Sequence, residues 1–298
     1  MTRLLDLWGG AMGELEGESL RDAIVSSEGR VVLAEVIAKS PPLLSGTSNA
    51  ELVAAFGADL ICLNMIDPSA PGPLVEGLEQ VTPAPGSFSD LARLLGRPVG
   101  LNLEPDLESV PAPYRASKSI VSAASARGAA FVIVTANPGR GAAIDDLAES
   151  VELVRNSAPR ILCLAGKMHQ AGADEPLDER TVGRLVDAGA HGVLIPLPGT
   201  VPGIDEATAH TMAAACHAAG ALAMGTIGTS QEGAEIETIR SLALAAKRAG
   251  MDIHHIGDAG YTGVAVPENV YAYSLALRGR RHTWNRMARG TRASWRGS

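Results

Sequence analysis

Short apolar runs recur along this chain at nearly even intervals, and this recurrence restricts the folds that the chain can adopt. Eight runs of strand length are spaced by 27, 39, 32, 31, 30, 31 and 30 residues. They begin at Val31, Ala58, Arg97, Ala129, Arg160, Ala190, Ala221 and Met251. A period near thirty accommodates one strand, one helix and two short loops. Eight such units predict a parallel (β/α)8 barrel, the TIM-barrel fold, because an open doubly wound sheet usually shows less even spacing.

The stretches between the runs have helical character and carry helix-ending signals. Helical segments are expected at 49–57, 144–159, 179–189, 206–220 and 235–250. Several stretches end in a glycine just before the next strand, as a left-handed helix cap would. These glycines are Gly57, Gly128, Gly189, Gly220 and Gly250. We therefore predict a single domain over residues 1–298, with a barrel core at about 31–278 and an extra helix at 18–29 that covers the barrel floor.

Two further segments each allow two interpretations. The Pro/Gly-rich stretch at 68–89, after the second strand, is either a lid over the carboxyl rim of the barrel or a loose surface insertion. The tail at 279–298 concentrates arginine in an otherwise acidic chain. It either binds an acidic patch of a neighbouring subunit or is a solvated tail.

Net charge and cysteine usage narrow the class of protein. A formal net charge of −8 and a pI of about 5.4 argue against nucleic-acid and anionic-membrane partners, because both need a positive field. Cys62, Cys163 and Cys216 show no CxxC spacing and are expected to stay reduced. No secretory signal or bilayer-length apolar run is visible, so we predict a cytoplasmic protein. A homo-oligomer is the default expectation for such a barrel.

In a barrel of this kind the active site lies at the carboxyl ends of the strands and in the loops that follow them. The polar residues at these ends are Glu35, Asn64, Asn102, Glu104, Thr135, Asn137, Lys167, His169, His254, His255 and Asp258. We predict that Glu35, Glu104 and His169 move protons. His255 and Asp258 are further candidate catalytic residues, although only one of the adjacent His254 and His255 can face the interior. The asparagines and Thr135 would orient substrate hydroxyls.

Lys167 is the most informative single position in this set. A lysine at a barrel strand end, desolvated by apolar neighbours, can form an imine with a carbonyl substrate. It can equally stay charged and hold a phosphate, carboxylate or enolate oxygen, which is the role that we favour. The structural alternative is a salt bridge to Glu104 or Glu35.

The loops after the seventh and eighth strands are rich in glycine and predict a phosphate site. Barrels often bind phosphate between these two loops and a helix N-terminus. Glycine lets backbone amides approach a ligand closely, and hydroxyl side chains add donors. The predicted phosphate and substrate contacts are Thr226, Gly228, Thr229, Ser230, Gly257, Gly260 and Tyr261.

A metal site receives little support from the sequence. Oxygen ligands for Mg²⁺ could come from four carboxylates, namely Glu35, Asp67, Glu104 and Asp106. HxH and HExxH spacings are lacking, and the two adjacent histidines face opposite ways on a strand. We therefore predict no cofactor, with Mg²⁺ as the alternative.

Long segments of the chain resemble a bacterial TIM-barrel family of uncharacterised activity. The resemblance runs through SEGRVVLAEVIAKSPPLLSGTSNAELVAAFGADLICLN, RPVGLNLEP, LAGKMHQAG, LPGTVPG, GTIGTSQEG and IHHIGDAGYTGVAVPENVYAYSLALRGRRHTWNRMAR. The family is labelled phosphoenolpyruvate phosphonomutase-like or haloacid-dehalogenase-like. Its members are often encoded beside sugar-phosphotransferase genes, so the resemblance implies a barrel that serves sugar-phosphate metabolism. The chain lacks the early DxDxT or DxDxV strand that the second label expects, and it lacks the gating loop that the first expects.

These features together predict an enzyme that acts on a phosphorylated small metabolite, by preference a sugar phosphate or nucleoside phosphate. The chemistry would be proton transfer, or bond cleavage or formation, next to a carbonyl, in a lyase, isomerase or transferase. Three alternatives stay open. They are a Mg²⁺-dependent mutase or lyase, a glycosidase-like enzyme with Glu35 and Glu104 as paired carboxylates, and a ligand-binding regulatory barrel without turnover.

Overall fold

The strands of this protein close into a barrel. The computed structural model describes residues 2–137, 140–167, 175 and 177–290. The strands are β1 (Val31–Ile37), β2 (Leu60–Asn64), β3 (Val99–Leu103), β4 (Phe131–Thr135), β5 (Leu162–Gly166), β6 (Gly192–Pro196), β7 (Leu222–Ile227) and β8 (Ile253–Ile256). Each pairs in parallel with its two neighbours, and the barrel closes where β8 pairs with β1. The predicted (β/α)8 barrel is confirmed, because every expected apolar run contains one of these strands.

Helices separate the strands and form the outer layer. They are α1 (Gly10–Gly13), α2 (Gly17–Val25), α3 (Asn49–Ala55), α4 (Phe88–Leu95), α5 (Lys118–Ala126), α6 (Ile144–Ser157), α7 (Glu179–Asp187), α8 (Glu206–Ala218), α9 (Ile236–Ala249) and α10 (Pro267–Gly290). The five predicted cap glycines follow helix ends with φ angles between 73° and 113°. A residue with a Cβ would be strained at such angles. The helix-ending signals are therefore confirmed.

Side chains on each strand alternate between two cores. Outward-facing residues such as Val32 pack against the helices, whereas inward-facing residues such as Leu33 and Met224 fill the barrel. Gly100 takes an inward position where a Cβ would lie 2.3 Å from the carbonyl oxygen of Phe131, so no larger residue fits there. This alternation decides which polar residues near the strand ends face the barrel axis.

The extra N-terminal helix lies where the sequence predicts it. Leu20 and Ile24 on α2 are buried, and with Leu4 they join the core that fills the barrel. Gly17, at the start of α2, lies against the carbonyl group of Arg160, which precedes β5. The helix therefore covers the amino ends of the strands, opposite the rim where the candidate site residues stand.

The arginine-rich tail is solvated at Arg280 and Arg281, which are exposed, but not at Arg286, which is buried. α10 bends sharply at Gly279, where φ is 69°, and its second half turns back under the barrel. Arg286 in this second half and Arg278 just before the bend form ion pairs with Asp59 at 2.6 and 2.5 Å, and all three side chains are at most 2% exposed. Both arginines are internal structural residues, because they neutralise a buried carboxylate. Residues 291–298 lie outside the described part of the chain.

The long segment after β2 is not a loose insertion. Leu74, Val75 and Leu78 are buried in the outer core. The guanidinium group of Arg127 donates hydrogen bonds to the carbonyl oxygens of Pro68 and Ala70 at 2.8 Å, and to that of Gly86. Its own apolar residues and a neighbouring arginine therefore hold the segment in place. The lid interpretation stays a prediction.

The helices in the described part of the chain include no candidate for a membrane-spanning segment. None of them combines the length and the apolar character that a bilayer crossing requires.

Candidate functional site

The carboxyl end of the barrel holds a layer of inward-facing polar side chains. By strand alternation this layer comprises Glu35, Asn64, Asn102, Thr135, Thr226 and His255. All except Asn64 are buried. The lower part of the barrel is apolar, with residues such as Leu33, Leu164 and Met224. Buried polar groups are costly unless they are paired, so the partners of each of these groups decide what the layer can do.

Glu35 and His255 form a buried pair at the centre of this layer. The Nε2 atom of His255 lies 2.7 Å from Oε2 of Glu35, and the two side chains are 0% and 3% exposed. Thr226 on β7 is the strand neighbour of His255 and is also buried. The pair lies on the barrel interior, where the sequence placed one of the two adjacent histidines.

His254 faces the opposite way and belongs to the helix layer. Its Nε2 atom lies 2.9 Å from the carbonyl oxygen of Gly29, and its ring packs edge-on against Tyr273. Burial lowers the pKa of His254 to about 4. The ring is therefore neutral at physiological pH and has a structural role. Of the two adjacent histidines, His255 is the one that faces the barrel interior.

A run of hydrogen bonds crosses three strands and ends on Asp258, which follows β8. The hydroxyl group of Thr135 donates to Oδ1 of Asn102 at 2.7 Å. The amide group of Asn102 donates to Oδ1 of Asn64 at 3.4 Å, and that of Asn64 donates to Oδ2 of Asp258 at 2.8 Å. Each donor points along the run toward Asp258, so the last of the three hydrogen bonds is donated to the Asp258 carboxyl group.

The backbone at Met65 fixes the orientation of Asn64. The amide of Met65 donates to Oδ1 of Asn64 at 2.8 Å, which leaves the Nδ2 atom of Asn64 to face Asp258. Met65 has a φ angle of 52°, an uncommon conformation for a residue with a side chain. Such strained residues cluster at functional sites, where the surrounding structure holds them in place.

The carboxyl group of Asp258 is poised to exchange a proton near neutral pH. Burial and the negative charge of Glu35 raise the pKa of Asp258 to about 7, against the hydrogen bond from Asn64 and the charge of His255, which lower it. Glu232 adds a smaller upward contribution. Groups titrating close to the working pH are the most effective proton donors and acceptors in catalysis.

A cavity of about 330 Å³ opens above β2, β3 and the loop after β4. It has the size of a small-metabolite pocket. Its lining comprises Asn64, Met65, Asn102, Leu103, Glu104, Pro111, Tyr114, Asn137 and Arg140. Asn64 and Asn102 are shared with the run of hydrogen bonds that ends on Asp258. Asn64 therefore connects the cavity wall to the half-buried carboxyl group of Asp258, which does not itself line the cavity.

Glu104 lines this cavity and is, after Asp258, the second carboxyl group with a raised pKa. Burial raises the pKa of Glu104, and the neighbouring Arg140 and Asn137 partly offset that rise. The Nε atom of Arg140 lies 3.5 Å from Oε2 of Glu104. The Arg140 side chain is 37% exposed and also donates to the carbonyl oxygen of Ser109 at 2.7 Å. Arg140 thus places a fixed positive charge at the cavity wall.

Lys167 does not meet Glu104 or Glu35, contrary to the geometry expected from the sequence. Its Nζ atom lies 3.2 Å from Oε2 of Glu175. The same oxygen accepts a hydrogen bond at 2.8 Å from the amide of Ile144, the first residue of α6. The reason is strand alternation, because the parity that puts Leu164 inside the barrel turns Lys167 toward the helix layer. His169 lies outside the described residues.

The loops after β7 and β8 contain a buried carboxylate where the sequence predicted a phosphate. Glu232 is 1% exposed, and its Oε1 atom accepts a hydrogen bond from the amide of Ala259 at 3.0 Å. A Cβ on Gly257 would lie 2.9 Å from the same oxygen. A Cβ on Gly260 would lie 2.9 Å from the Cα of Ala265. These glycines are therefore required by contacts within the protein.

The remaining predicted phosphate contacts are engaged elsewhere or exposed. The hydroxyl group of Thr229 donates to the carbonyl oxygen of Thr200 at 3.1 Å and also contacts Gln231. Ser230 has a φ angle of 76° and precedes a short 3-10 turn, and Tyr261 is 73% exposed. Gly228 lies 3.5 Å from the position of a Cβ on Gly257. In this structure these residues do not converge on an open phosphate cradle.

The four suggested Mg²⁺ ligands do not form a cluster. The carboxyl group of Asp67 accepts hydrogen bonds from Ser69 in a local turn, and Asp106 lines a separate groove with Asp146 and Glu149. Among the described residues, no three His, Cys, Asp or Glu side chains are grouped so that they could hold a metal ion.

Sequence reasoning missed two members of the site, Arg140 and Glu232. Arg140 stands five residues after the end of β4 in a Pro/Gly-containing loop, which is a position typical of active-site loops in this fold. Glu232 follows the glycine and hydroxyl residues that suggested a phosphate. Its acidity within that motif was the signal against an anion at the same place.

These observations define a (β/α)8 barrel with a partly buried polar site at the carboxyl ends of its strands. The chain belongs to the DUF7916 family, a domain of unknown function, whose model matches residues 5–293. No protein with a curated description matches the chain.

Solved structures with related barrels show the fold alone, because their sequences are very different. A Rubisco-like protein from Rhodopseudomonas palustris is 15% identical, with a TM-score of 0.51, and the match covers 93% of this chain and 72% of that one. Thiamine phosphate pyrophosphorylase from Pyrococcus furiosus is 10% identical, with a TM-score of 0.48 and coverages of 87% and 97%. HMG-CoA lyase from Brucella melitensis is 14% identical, with a TM-score of 0.45 and coverages of 84% and 98%.

Proposed function

We propose that this protein is an enzyme that moves a proton at a carbon next to a carbonyl group in a small anionic metabolite. The reaction would be of the lyase or isomerase type, with Asp258 as the group that gives or takes the proton. One observation carries the proposal. A directed run of hydrogen bonds from Thr135 through Asn102 and Asn64 connects the wall of a metabolite-sized cavity to Asp258.

The environment of Asp258 suits this role. A pKa of about 7 leaves the carboxyl group in both protonation states at neutral pH, so it can act as an acid or as a base. The bond from Asn64 fixes the direction of the carboxyl group. Glu104, whose pKa burial also raises, lines the cavity that Asn64 joins to Asp258 and offers a second proton-transfer group. Two such groups would let one site both remove a proton and return it.

Arg140 and Asn137 indicate how the site would hold an anionic substrate. A guanidinium group binds carboxylates and phosphates through paired hydrogen bonds. Arg140 lines the cavity, whereas Glu232 places a carboxylate between the loops after β7 and β8. A phosphorylated sugar or another acidic metabolite would therefore place its anionic group on the β3–β4 side. Asn102 and Asn137 would orient its hydroxyl groups.

The test is proton exchange with solvent. The protein is incubated in D2O with a panel of sugar phosphates, nucleoside phosphates and 2-oxo acids, and NMR follows the loss of the proton next to each carbonyl. We expect the wild-type protein to accelerate exchange or turnover of one class. Asp258→Asn should lose about 100-fold or more of this activity, the usual contribution of a positioned acid or base.

A matched control separates this effect from a general loss of structure. Asp187→Asn makes the same change of carboxyl to amide at an exposed position of α7 and should keep full activity. Exchange that survives in Asp258→Asn would overturn the proposed role of Asp258. A metabolite that binds the wild-type protein without exchange or turnover would support the regulatory barrel and contradict the enzyme.

A further inference from the structure

The loop that follows β7 interlocks with the loop that carries Asp258. Gly233, at the end of the short 3-10 turn after β7, lies so close to Gly260 that a Cβ would stand 2.5 Å from the Gly260 carbonyl oxygen. Gly257 also lies close to this turn, because its Cβ would be 2.9 Å from the side-chain Oε1 of Glu232. The two loops therefore pack backbone to backbone, and a shift of one moves the other.

Glu232 is the side chain that joins the two loops. Its Oε1 atom accepts a hydrogen bond at 3.0 Å from the amide of Ala259, the residue next to Asp258. Its own backbone is held in turn by Asn269, whose amide group donates to the carbonyl oxygens of Glu232 and Ala234 at 2.8 Å. Asn269 is buried in the first turn of α10. The carboxylate thus bridges a fixed helix start and the backbone that presents Asp258.

The second carboxyl oxygen of Glu232 is not accounted for by this structural role. Oε2 is buried and has no hydrogen-bond partner among the described residues. A buried, unpaired carboxylate oxygen is costly, so its retention calls for a function. The Glu232 carboxylate also helps to raise the pKa of Asp258.

The groups that surround Asp258 come from four parts of the barrel. Glu35 on β1 adds a like charge, and His255 on β8 opposes it. Asn64 on β2 donates a hydrogen bond, and Glu232 in the loop after β7 adds a second like charge. Of the two acidic groups, Glu35 and Glu232, it is Glu232 that accepts a hydrogen bond from the loop that carries Asp258.

We propose that Glu232 is a positioning residue that holds the Asp258 loop through the amide of Ala259 and places a buried carboxylate next to that loop. The proposal rests on the proposed function, since it gives Glu232 a task only if Asp258 transfers protons. It also gives the motif after β7 a purpose other than binding phosphate.

Glu232→Gln separates charge from position. Glutamine keeps an oxygen that can accept from Ala259, but it removes the negative charge beside Asp258. NMR titration of ¹³C-labelled aspartate carboxyl groups reports the Asp258 pKa directly, without a substrate, and Asp258→Asn identifies the signal. We expect the midpoint to move to lower pH by roughly half a pH unit or more, because a neighbouring like charge has been removed.

Glu232→Ala removes both contributions. Hydrogen exchange of the Ala259 amide should be unchanged in Glu232→Gln and roughly tenfold or more faster in Glu232→Ala, the effect of losing one hydrogen bond. Glu237→Gln is the control. It removes a charge from the same segment, but Glu237 is 80% exposed and solvent screens it, so the Asp258 titration should not move.

Two results would overturn the proposal. An Asp258 titration in Glu232→Gln that matches the wild-type curve removes the electrostatic role, and unchanged Ala259 exchange in Glu232→Ala removes the positioning role. Neither result bears on the proposed function, because that stands or falls with proton exchange in Asp258→Asn. Failure of the two ideas can therefore be distinguished.

Discussion

Asp258 shows how one side chain acquires reactivity from its surroundings. Burial and the neighbouring Glu35 disfavour its charged form, while a donated hydrogen bond from Asn64 favours it. Burial and Glu35 prevail, and they raise the pKa from the ordinary aspartate value to about 7. A single added or removed charge close by should therefore change the protonation state of the site under physiological conditions.

Glu104 and Arg140 illustrate the opposite arrangement, a carboxyl group that shares its cavity with a cation. The 3.5 Å separation between them is long for a direct hydrogen bond. An anionic substrate that paired with Arg140 would weaken this contact and leave Glu104 more easily protonated. Substrate binding and proton transfer would then be coupled through one arginine.

Lys167 provides a prediction at the same scale. Its ammonium group is paired with Glu175 above the start of α6 and is buried. A lysine nitrogen that is engaged with a carboxylate is poorly placed to attack a carbonyl carbon. We therefore expect borohydride treatment in the presence of carbonyl substrates to leave Lys167 unmodified, as measured by peptide mass spectrometry.

The charge-holding role of Lys167 that the sequence favoured stays a prediction. Lys167→Arg keeps the positive charge and is the matched variant with which this role can be tested. A reduced adduct on Lys167 would contradict the present account and restore the imine mechanism.

At the scale of elements, the second half of α10 and the start of β2 form one structural unit. Burial alone would raise the pKa of Asp59, but the charges of Arg278 and Arg286 and a backbone hydrogen bond from Val32 outweigh burial and lower it. Arg97 adds a third buried guanidinium group. The tail is thus tied to the barrel floor through a charge cluster that excludes water.

Asp59→Asn should destabilise the protein strongly. Removing one partner of a buried ion pair leaves the other charge uncompensated, at a cost of about 3–5 kcal/mol in the free energy of unfolding. Urea unfolding monitored by circular dichroism measures this change. Asp6→Asn, which breaks an exposed pair with Arg3, should cost about 1 kcal/mol or less.

The pH dependence of this contribution has a defined sign. Because the folded-state pKa of Asp59 is depressed, its stabilising effect is present above the ordinary range of an aspartate and is lost as the pH falls through the folded value. Wild-type stability should therefore decline in acid more steeply than that of Asp59→Asn. Equal stability of the two proteins at neutral pH would contradict the assigned role.

The positions of the strands and of the helix ends could be predicted from the sequence, whereas the contacts between distant elements could not. The apolar runs predicted every strand because a buried parallel strand must be almost wholly apolar, and the cap glycines predicted where helices end. The buried arginines of α10 could not be predicted in this way. In the sequence they resemble solvated charge, and nothing local reveals that Asp59 lies buried some 220 residues earlier in the chain.

At the scale of the whole molecule, barrel closure brings most of the predicted strand-end residues to one rim, but it does not bring all of them together. Closing the sheet brings Glu35, Asn64, Asn102 and His255 to one rim, as the positions at strand ends predicted. The sequence prediction placed Lys167 inside the barrel. In the structure β5 ends one residue before Lys167, and strand alternation turns the Lys167 side chain toward the helix layer. The phosphate loops were misassigned because a glycine required by loop packing looks the same in sequence as one required by a ligand.

The site is asymmetric across the barrel mouth. Carboxylates gather near β1 and β8, where Glu35, Asp258 and Glu232 influence one another, whereas Arg140 stands near β3 and β4. An anionic metabolite would be repelled on one side and attracted on the other, so it has one favoured orientation. This arrangement would direct its anionic group toward Arg140 and its reacting carbon toward Asp258.

The most direct test of this account is a crystal structure with the metabolite, or a stable analogue of it, that the exchange experiment identifies. We expect a ligand in the cavity beside Asn64 and Asn102, with its anionic group on Arg140. The reacting carbon or its carbonyl oxygen should lie within about 3.5 Å of the Asp258 carboxyl group, directly or through one water. A ligand bound between the loops after β7 and β8, or far from Asp258, would contradict it.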